Sequence, residues 1–197
     1  MHQLLPFIVF AFVASITPGP TNLLAMSNSA CFGLLATLPL VAGACVSAAT
    51  VVLLVGLGLG EALLQNPLAQ TAMAWFGAAW ITWLAWQLFR AASPELAASQ
   101  AIKKVGVLGG AGLQWVNPKN WVMALAVVSV FAGAGAGWQG YGLYALIFLL
   151  IALPCMTAWA WLGHGAARVL KSPDALRRFN QGMALLLAGS TWLALLG

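Results

Sequence analysis

Six long apolar segments, almost free of charge, constrain this chain more than any other feature. Of its 197 residues, 62% are hydrophobic and 6% are charged, against about 25% charged residues in soluble domains. Because lipid offers no partner to open backbone groups, such segments are expected to cross a membrane as helices. The sequence therefore predicts an all-α membrane protein with six transmembrane helices, and the first segment is too long for a cleaved signal peptide. The predicted spans are Leu4 to Ala30, Leu38 to Gly60, Met73 to Phe89, Val105 to Ala132, Tyr141 to Gly163, and Phe179 to Leu196.

The positive charges fall on one side of this predicted membrane. They lie between the third and fourth spans and between the fifth and sixth, at Arg90, Lys103, Lys104, Arg168, Lys171, Arg177 and Arg178. Since lysine and arginine accumulate in cytoplasmic loops, both termini are predicted to lie outside. The net charge of +5 flanks apolar segments, so it indicates orientation in the lipid bilayer and not a nucleic-acid partner.

The spans divide into two halves of one transmembrane domain, residues 1–197. A linker near 91–101 separates a first repeat, about 1–95, from a second, about 100–197. Each half has three spans, an odd number, so a shared fold would make the halves inverted repeats. The stretches "TPGPTN" (17–22) and "NPKN" (117–120) interrupt the longest span of each half. Paired interruptions of this kind indicate a transporter's binding site.

The first interruption is expected to expose both kinds of helix end. Pro20 suits the first turn of a half-helix, with Gly19 supplying backbone freedom before it. The N–H groups at that start would attract a carboxylate, and the carbonyls around Ala14 to Thr17 would attract an ammonium group. A zwitterion suits this pair of ends. The predicted substrate-binding residues here are Thr17, Pro18, Gly19, Pro20 and Asn22.

Lys119 is the one charged residue that this assignment puts well inside the membrane. A buried lysine costs about 2.5–3.5 kcal/mol on insertion scales, so a functional role is expected. The alternative is that Lys119 reaches an interface because the fourth span is shorter or more tilted. The predicted substrate-binding residues of the second break are Gln114, Asn117, Pro118 and Lys119.

No carboxylate is predicted inside the membrane. Glu61, Glu95 and Asp174 are the only acids in the chain, and all three fall in predicted loops. The site is therefore expected to be net positive when empty, suited to zwitterionic or anionic solutes and hostile to cations. If protons drive export, the remaining groups are Lys119, His164 or the substrate itself. A lone histidine at the end of a span, such as His164, is more often an interface residue.

The three cysteines indicate neither a disulfide framework nor a metal site. Cys31, Cys45 and Cys155 are odd in number and contain no CxxC pair, so they are expected to pack as small apolar residues, with other roles open. No metal or cofactor is predicted. A membrane-embedded enzyme or redox relay is one alternative function, and a metal-ion exporter is another, but paired catalytic groups and His-rich loops are lacking. A homo-oligomer stays open.

Glycines and tryptophans are expected to have mainly structural roles. Trp115 and Trp121, which flank the second break, could also contact an ammonium group through their ring faces. The glycines predicted to allow close helix packing are Gly43, Gly56, Gly58, Gly60, Gly106, Gly109, Gly110 and Gly112.

The chain resembles the LysE/RhtB family of bacterial amino-acid exporters over essentially its whole length. The resemblance rests on "TPGPTN" with the following "LLAMS", "GAAWITWLAWQLFRA", "LQWVNPKNW" and "RRFNQGMALLLAG". "LQWVNPK" and "AWAWLGHGAARVL" look most like the branch that exports cysteine and O-acetylserine.

The resemblance implies export of an amino acid or related metabolite from the cytoplasm across the bacterial inner membrane, coupled to an ion gradient. The charge distribution then puts both termini in the periplasm. It places the functional motif on Pro18, Gly19, Pro20 and Asn22, and on Asn117, Pro118 and Lys119. Relatives that export basic amino acids tend to have an acid in the second span, where this chain has Ser47 and Ala48. That departure argues against lysine or arginine as the substrate.

Overall fold

The computed structural model describes residues 4–90, 104–133, 136–169 and 172–196. These residues are helical, with short connections and no strand among them. The first half contains α1 (Leu4–Ile16), α2 (Pro20–Phe32), α3 (Leu34–Leu54), a π-helical turn (Val55–Leu59), α4 (Gly60–Leu64) and α5 (Pro67–Arg90). The second contains α6 (Val107–Val116), α7 (Pro118–Ala126), a π-helical turn (Val127–Ala132), α8 (Gly137–Val169) and α9 (Pro173–Leu196).

Several helices begin before their predicted spans. α5 starts at Pro67 and not at Met73, because the side chain of Asn66 caps its first turn by accepting from a backbone N–H and a first-turn proline has no N–H to lose. α9 starts in the same way, with Ser172 as the cap and Pro173 after it. Apolar runs mark the part of a helix suited to lipid, so they missed these capped turns.

The loop assignment of the acids is wrong for two of the three. Glu61 lies in the first turn of α4 and Asp174 in the first turn of α9. The positive end of a helix stabilises a carboxylate in its first turn. Both are exposed. Glu95 and the predicted linker near 91–101 lie outside the described residues.

The apolar helices are those of a membrane protein. By length and composition, Leu34–Ala62 and Gly137–Val169 can each cross a bilayer, and α1 with α2 adds a third span if the bent pair is counted as one. α6 and α7 are shorter apolar helices. This count covers the described residues only, and it does not confirm six spans arranged as inverted repeats.

The helices of the two halves pack across each other. α1 and α2 lie against α8, which belongs to the second half, whereas α6 and α7 lie against α3, which belongs to the first. α5 and α9 pack together, with α9 also touching α2 and α5 touching α6. The core is therefore shared between the halves, and the two broken pairs meet inside it.

Glycines permit the closest of these crossings. A Cβ on Gly43 would overlap the backbone carbonyl of Val107, where α3 meets α6. On α6, a Cβ on Gly110 would likewise overlap the carbonyl of Leu40 in α3. A Cβ on Gly163 would overlap the carbonyl of Met26, where α8 meets α2. Small residues at such points let helix backbones touch.

The packing prediction holds for some glycines and fails for others. A Cβ would also meet a neighbouring helix within 3.0 Å at Gly56 and Gly60, but at Gly109 it would meet only Val105 of its own segment, and at Gly106 or Gly112 nothing within 4 Å. Gly58 needs to be glycine for a different reason, because its φ of 111° lies in the left-handed region.

Candidate functional site

Both predicted breaks are present, at residues 17–19 and at Asn117. α1 and α2 meet at an angle of 53°, and α2 starts with Pro20 in its first turn after an extended Gly19. α7 starts with Pro118 after an extended Asn117. Proline disfavours the α conformation in the residue before it, which explains why each helix stops there.

The carbonyls that end α1 are occupied by donors from elsewhere in the chain. Asn22 Nδ2 donates to the carbonyls of Ser15 (3.0 Å) and Thr17 (3.1 Å), and Trp159 Nε1 donates to that of Ile16 (3.1 Å). Lys119 Nζ donates to the Thr17 carbonyl as well, at 2.8 Å. The expectation that open carbonyls await a substrate's ammonium group therefore does not hold for Ser15, Ile16 and Thr17, because side chains already bond them.

The second break repeats this chemistry. Asn120 Nδ2 donates to the carbonyl of Gln114 at 3.2 Å, and Trp121 Nε1 donates to that of Trp115 at 2.7 Å. Asn120 is the third residue of α7, as Asn22 is the third of α2. In each half, an asparagine from the start of the second half-helix thus donates to a carbonyl near the end of the first half-helix.

The starts of the two half-helices differ. Asn117 Oδ1 accepts from the backbone N–H of Lys119 at 3.1 Å and so caps α7, whereas no side chain caps α2. Asn117 also reaches across to the first break, where its Nδ2 lies 3.4 Å from the Thr21 hydroxyl oxygen. The uncapped positive end of α2 therefore faces the second break.

Lys119 joins the two breaks, as its bond to Thr17 shows. Its side chain turns toward the first break and does not extend toward an end of its own helix, and it lies directly over Gly19. A Cβ at Gly19 would be 3.3 Å from the Lys119 ammonium nitrogen. The φ of Gly19 is −162°, which any residue can adopt. Glycine therefore leaves space for the Lys119 side chain and does not supply the backbone freedom that the sequence suggested.

A small cavity of about 40 Å³ lies at this junction, room for about two or three water molecules. Its polar lining comes from Ser15, Thr21, Asn22, Gln114, Asn117, Lys119 and Asn120. A larger apolar cleft of about 540 Å³ adjoins it, and Pro18, Gly19, Pro20, Asn117, Pro118 and Lys119 are among its lining residues. Lys119 lines both spaces, and neither lining contains a carboxylate among the described residues.

These positions account for all nine predicted site residues. Eight of them line the cavity or the cleft, and Thr17 contributes its carbonyl while its hydroxyl bonds Val13 within α1. The possible ammonium contact of the tryptophans gains no support, because Trp115 and Trp121 contact each other edge to face, 6.1 Å between ring centroids, and line neither space. His164 lies in α8, away from both linings.

Comparison with known proteins decides the family. The model of the LysE type translocator matches residues 12–195, which include both breaks. The chain belongs to the LysE family. Members of this family are transporters and not enzymes.

Named relatives of this LysE-family chain cover nearly its whole length. The cysteine/O-acetylserine efflux protein of Salmonella typhimurium is 31% identical over 183 residues, 92% of this chain and 91% of the relative. That of Klebsiella pneumoniae is 30% identical over 161 residues, 80% of each chain. An uncharacterized membrane protein of Vibrio cholerae is 27% identical over 185 residues, 92% and 90% of the two chains. No solved structure matches.

Sequence reasoning missed several residues around the cavity. Asn120 ends the "NPKN" stretch but was not among the predicted binding residues, although its place three residues after Asn117, like that of Asn22 after Gly19, was a usable signal. Ser15 and Trp159 carried no such signal. Trp159 is distant in sequence from the break that it completes, so only the packing of α8 against α1 brings it there.

Gly19→Ala is expected to weaken function without unfolding the protein. The new methyl group would press on the flexible Lys119 side chain at 3.3 Å and shift its ammonium by a few tenths of an ångström, so we expect a loss of transport of about three- to tenfold. Gly112→Ala is the matched control, because its methyl group meets nothing within 4 Å. Equal transport by the two variants, per folded protein, would contradict this role of Gly19.

Proposed function

We propose that this protein is a secondary exporter of small neutral amino acids or related metabolites, of the cysteine and O-acetylserine type. It moves them out of the cytoplasm by alternating access to a site between the two helix breaks. The observation that carries the proposal is the Lys119 ammonium group, held over Gly19 against the Thr17 carbonyl and beside the uncapped start of α2.

The substrate's carboxylate is the group that this arrangement binds. Lys119 supplies a full positive charge, and the N-terminus of α2 adds its partial positive charge and free N–H groups. Asn117 borders both, since its side chain accepts from the backbone N–H of Lys119 and donates to the Thr21 hydroxyl. Such a combination of an ammonium group with a helix N-terminus suits one carboxylate of a small molecule.

The charge balance of the site selects against cations. No aspartate or glutamate of the described part of the chain lines either space, so a substrate without a carboxylate would place its positive charge beside Lys119 with nothing to offset it. The site therefore rejects simple amines and divalent metal ions, and disfavours lysine and arginine. The metal-exporter alternative has no group of metal ligands to support it among the described residues.

An inverted repeat of three spans in each half is part of the proposal. Its support is the matching position of Asn22 and Asn120 at the two breaks, and the crossed packing of each broken pair against the unbroken helix of the other half. Rocking of one half against the other would then open the shared cavity to either side.

The cavity has to widen for transport. At about 40 Å³ it holds waters but no amino acid, and the cleft of about 540 Å³ next to it is large enough. Lys119 lies between these spaces, so its release from Thr17 is the step that would join them.

We place both termini in the periplasm and take proton coupling through Lys119, His164 or the substrate itself as the energy source.

Everted membrane vesicles test this function. Vesicles containing the protein, energised by a pH gradient, should accumulate radiolabelled cysteine unchanged, and vesicles with the Lys119→Met variant should not. Collapse of the gradient with an uncoupler should abolish the accumulation. Label recovered as a modified compound without net movement would favour the membrane-embedded enzyme instead.

A further inference from the structure

Two buried polar atoms beside the cavity have no hydrogen-bond partner among the described residues. They are the amide oxygen Oδ1 of Asn120 and the hydroxyl Oγ of Ser15. Asn120 is 1% exposed and Ser15 is 8% exposed, and both residues line the cavity. A buried acceptor without a partner is costly, at about 1–3 kcal/mol, so such atoms in a cavity point to something that fills it.

The orientation of the Asn120 amide follows from its bond to Gln114. Nδ2 donates to the Gln114 carbonyl at 3.2 Å, and turning the amide over would place two oxygens against each other. Oδ1 is therefore the atom left over, and it can only accept. The Asn22 amide is oriented in the same way, because its Nδ2 donates to two backbone carbonyls.

Several of the acceptors that an ammonium group could use at this break are already occupied. The carbonyls of Ser15, Ile16 and Thr17 already accept bonds from the chain, and the cavity lining contains no carboxylate among the described residues. A zwitterion whose carboxylate lies on Lys119 still needs acceptors for its other end, since a buried charged donor without them is strongly unfavourable.

We infer that Asn120 Oδ1, together with Ser15 Oγ, accepts the ammonium group of the substrate. The inference rests on the proposed function and extends it, because it separates the two ends of the substrate: Lys119 and the start of α2 hold the carboxylate, and Asn120 with Ser15 recognises the amine. The pair thereby distinguishes an amino acid from the corresponding acid without the amino group.

Binding of two ligands to purified protein tests this assignment. Cysteine and 3-mercaptopropionate share the thiol and the carboxylate, and only cysteine has the amine. Asn120→Leu should weaken cysteine binding about tenfold or more, as expected for loss of a hydrogen bond to a charged group, and should leave 3-mercaptopropionate within about twofold. Ser15→Ala should shift the same ratio by about threefold.

Matched controls come from elsewhere in the protein. Asn180 is also 1% exposed with an unpaired Oδ1, and Ser27 is fully buried with an unpaired hydroxyl, but neither lines the cavity or the cleft. Asn180→Leu and Ser27→Ala should leave the ratio of the two affinities unchanged. If Asn120→Leu does not fold, Ser15→Ala decides, since its hydroxyl has no protein partner to lose.

The possible outcomes are distinct. A selective loss of cysteine binding supports the assignment, whereas equal losses for both ligands, or no loss, overturn it while leaving the export proposal in place. Failure of the wild-type protein to bind either ligand would instead remove the proposed function, and this inference with it.

Discussion

Lys119→Met should reduce export of cysteine by about 30-fold or more, as expected when one partner of a desolvated charge pair is removed. The lysine ammonium is the one full positive charge among the residues that line the cavity. Methionine keeps the length and apolar stem of the side chain but cannot hold a carboxylate. The initial rate of radiolabelled cysteine uptake into everted vesicles, divided by the amount of folded protein, measures the effect.

Two controls accompany this variant. Lys119→Arg keeps the positive charge and should stay within about tenfold of wild type, since its planar head fits the same space less well. Lys104→Met removes an exposed lysine before α6 and should leave export unchanged. Wild-type export by Lys119→Met would show that the lysine has no part in binding the substrate.

Gly163→Ala should destabilise the protein more than Gly19→Ala does. The added Cβ would overlap the backbone carbonyl of Met26, and a backbone atom cannot turn aside as a side chain can. Overpacking typically costs about 1–3 kcal/mol, which for a chain of this size lowers the midpoint of thermal unfolding by about 3–10 °C. Loss of helical circular dichroism on heating in detergent measures the midpoint.

Gly165→Ala is the control for this change. It lies two residues away on α8, and nothing is within 4 Å of its added methyl group. Its midpoint should equal that of wild type or rise slightly, because alanine favours helix over glycine. Equal midpoints for the two alanine variants would mean that α8 and α2 do not cross as closely as Gly163 and Met26 indicate.

The two breaks could be predicted because their causes are local. A proline in the first turn of a half-helix, with the restricted residue before it, ends one helix and starts the next wherever it occurs. The apolar pattern located the helices because it too is a property of the local sequence, although it missed the capped starts at Asn66 and Ser172. Those caps depend on one side chain each and leave no periodic trace.

The contents of the site could be predicted only in part. Lys119 stood out because a charge in an apolar segment is expensive, and its side chain does lie at the first break. The sequence could not show that side chains of this chain bond the carbonyls at the helix ends. Asn22, Trp159 and Lys119 reach the carbonyls of α1 from three different helices, and only the packing reveals that these carbonyls are already bonded and do not await the substrate's ammonium.

The role of Gly19 illustrates the same limit. A glycine between two prolines suggested a need for backbone freedom, but Gly19 has an extended backbone that any residue can adopt. Its missing side chain leaves room for a lysine about one hundred positions later in the chain. Space of this kind is a property of the assembled fold and not of the local sequence.

The most direct test of a positively charged site between the two breaks is competition for cysteine transport by molecules that lack one of its charged groups. In everted vesicles, 3-mercaptopropionate, which keeps the carboxylate, should inhibit uptake of labelled cysteine by the wild-type protein. Cysteamine, which keeps the amine and lacks the carboxylate, should not inhibit even in large excess, because the charge of Lys119 repels it. Inhibition by cysteamine as strong as that by 3-mercaptopropionate would contradict the account.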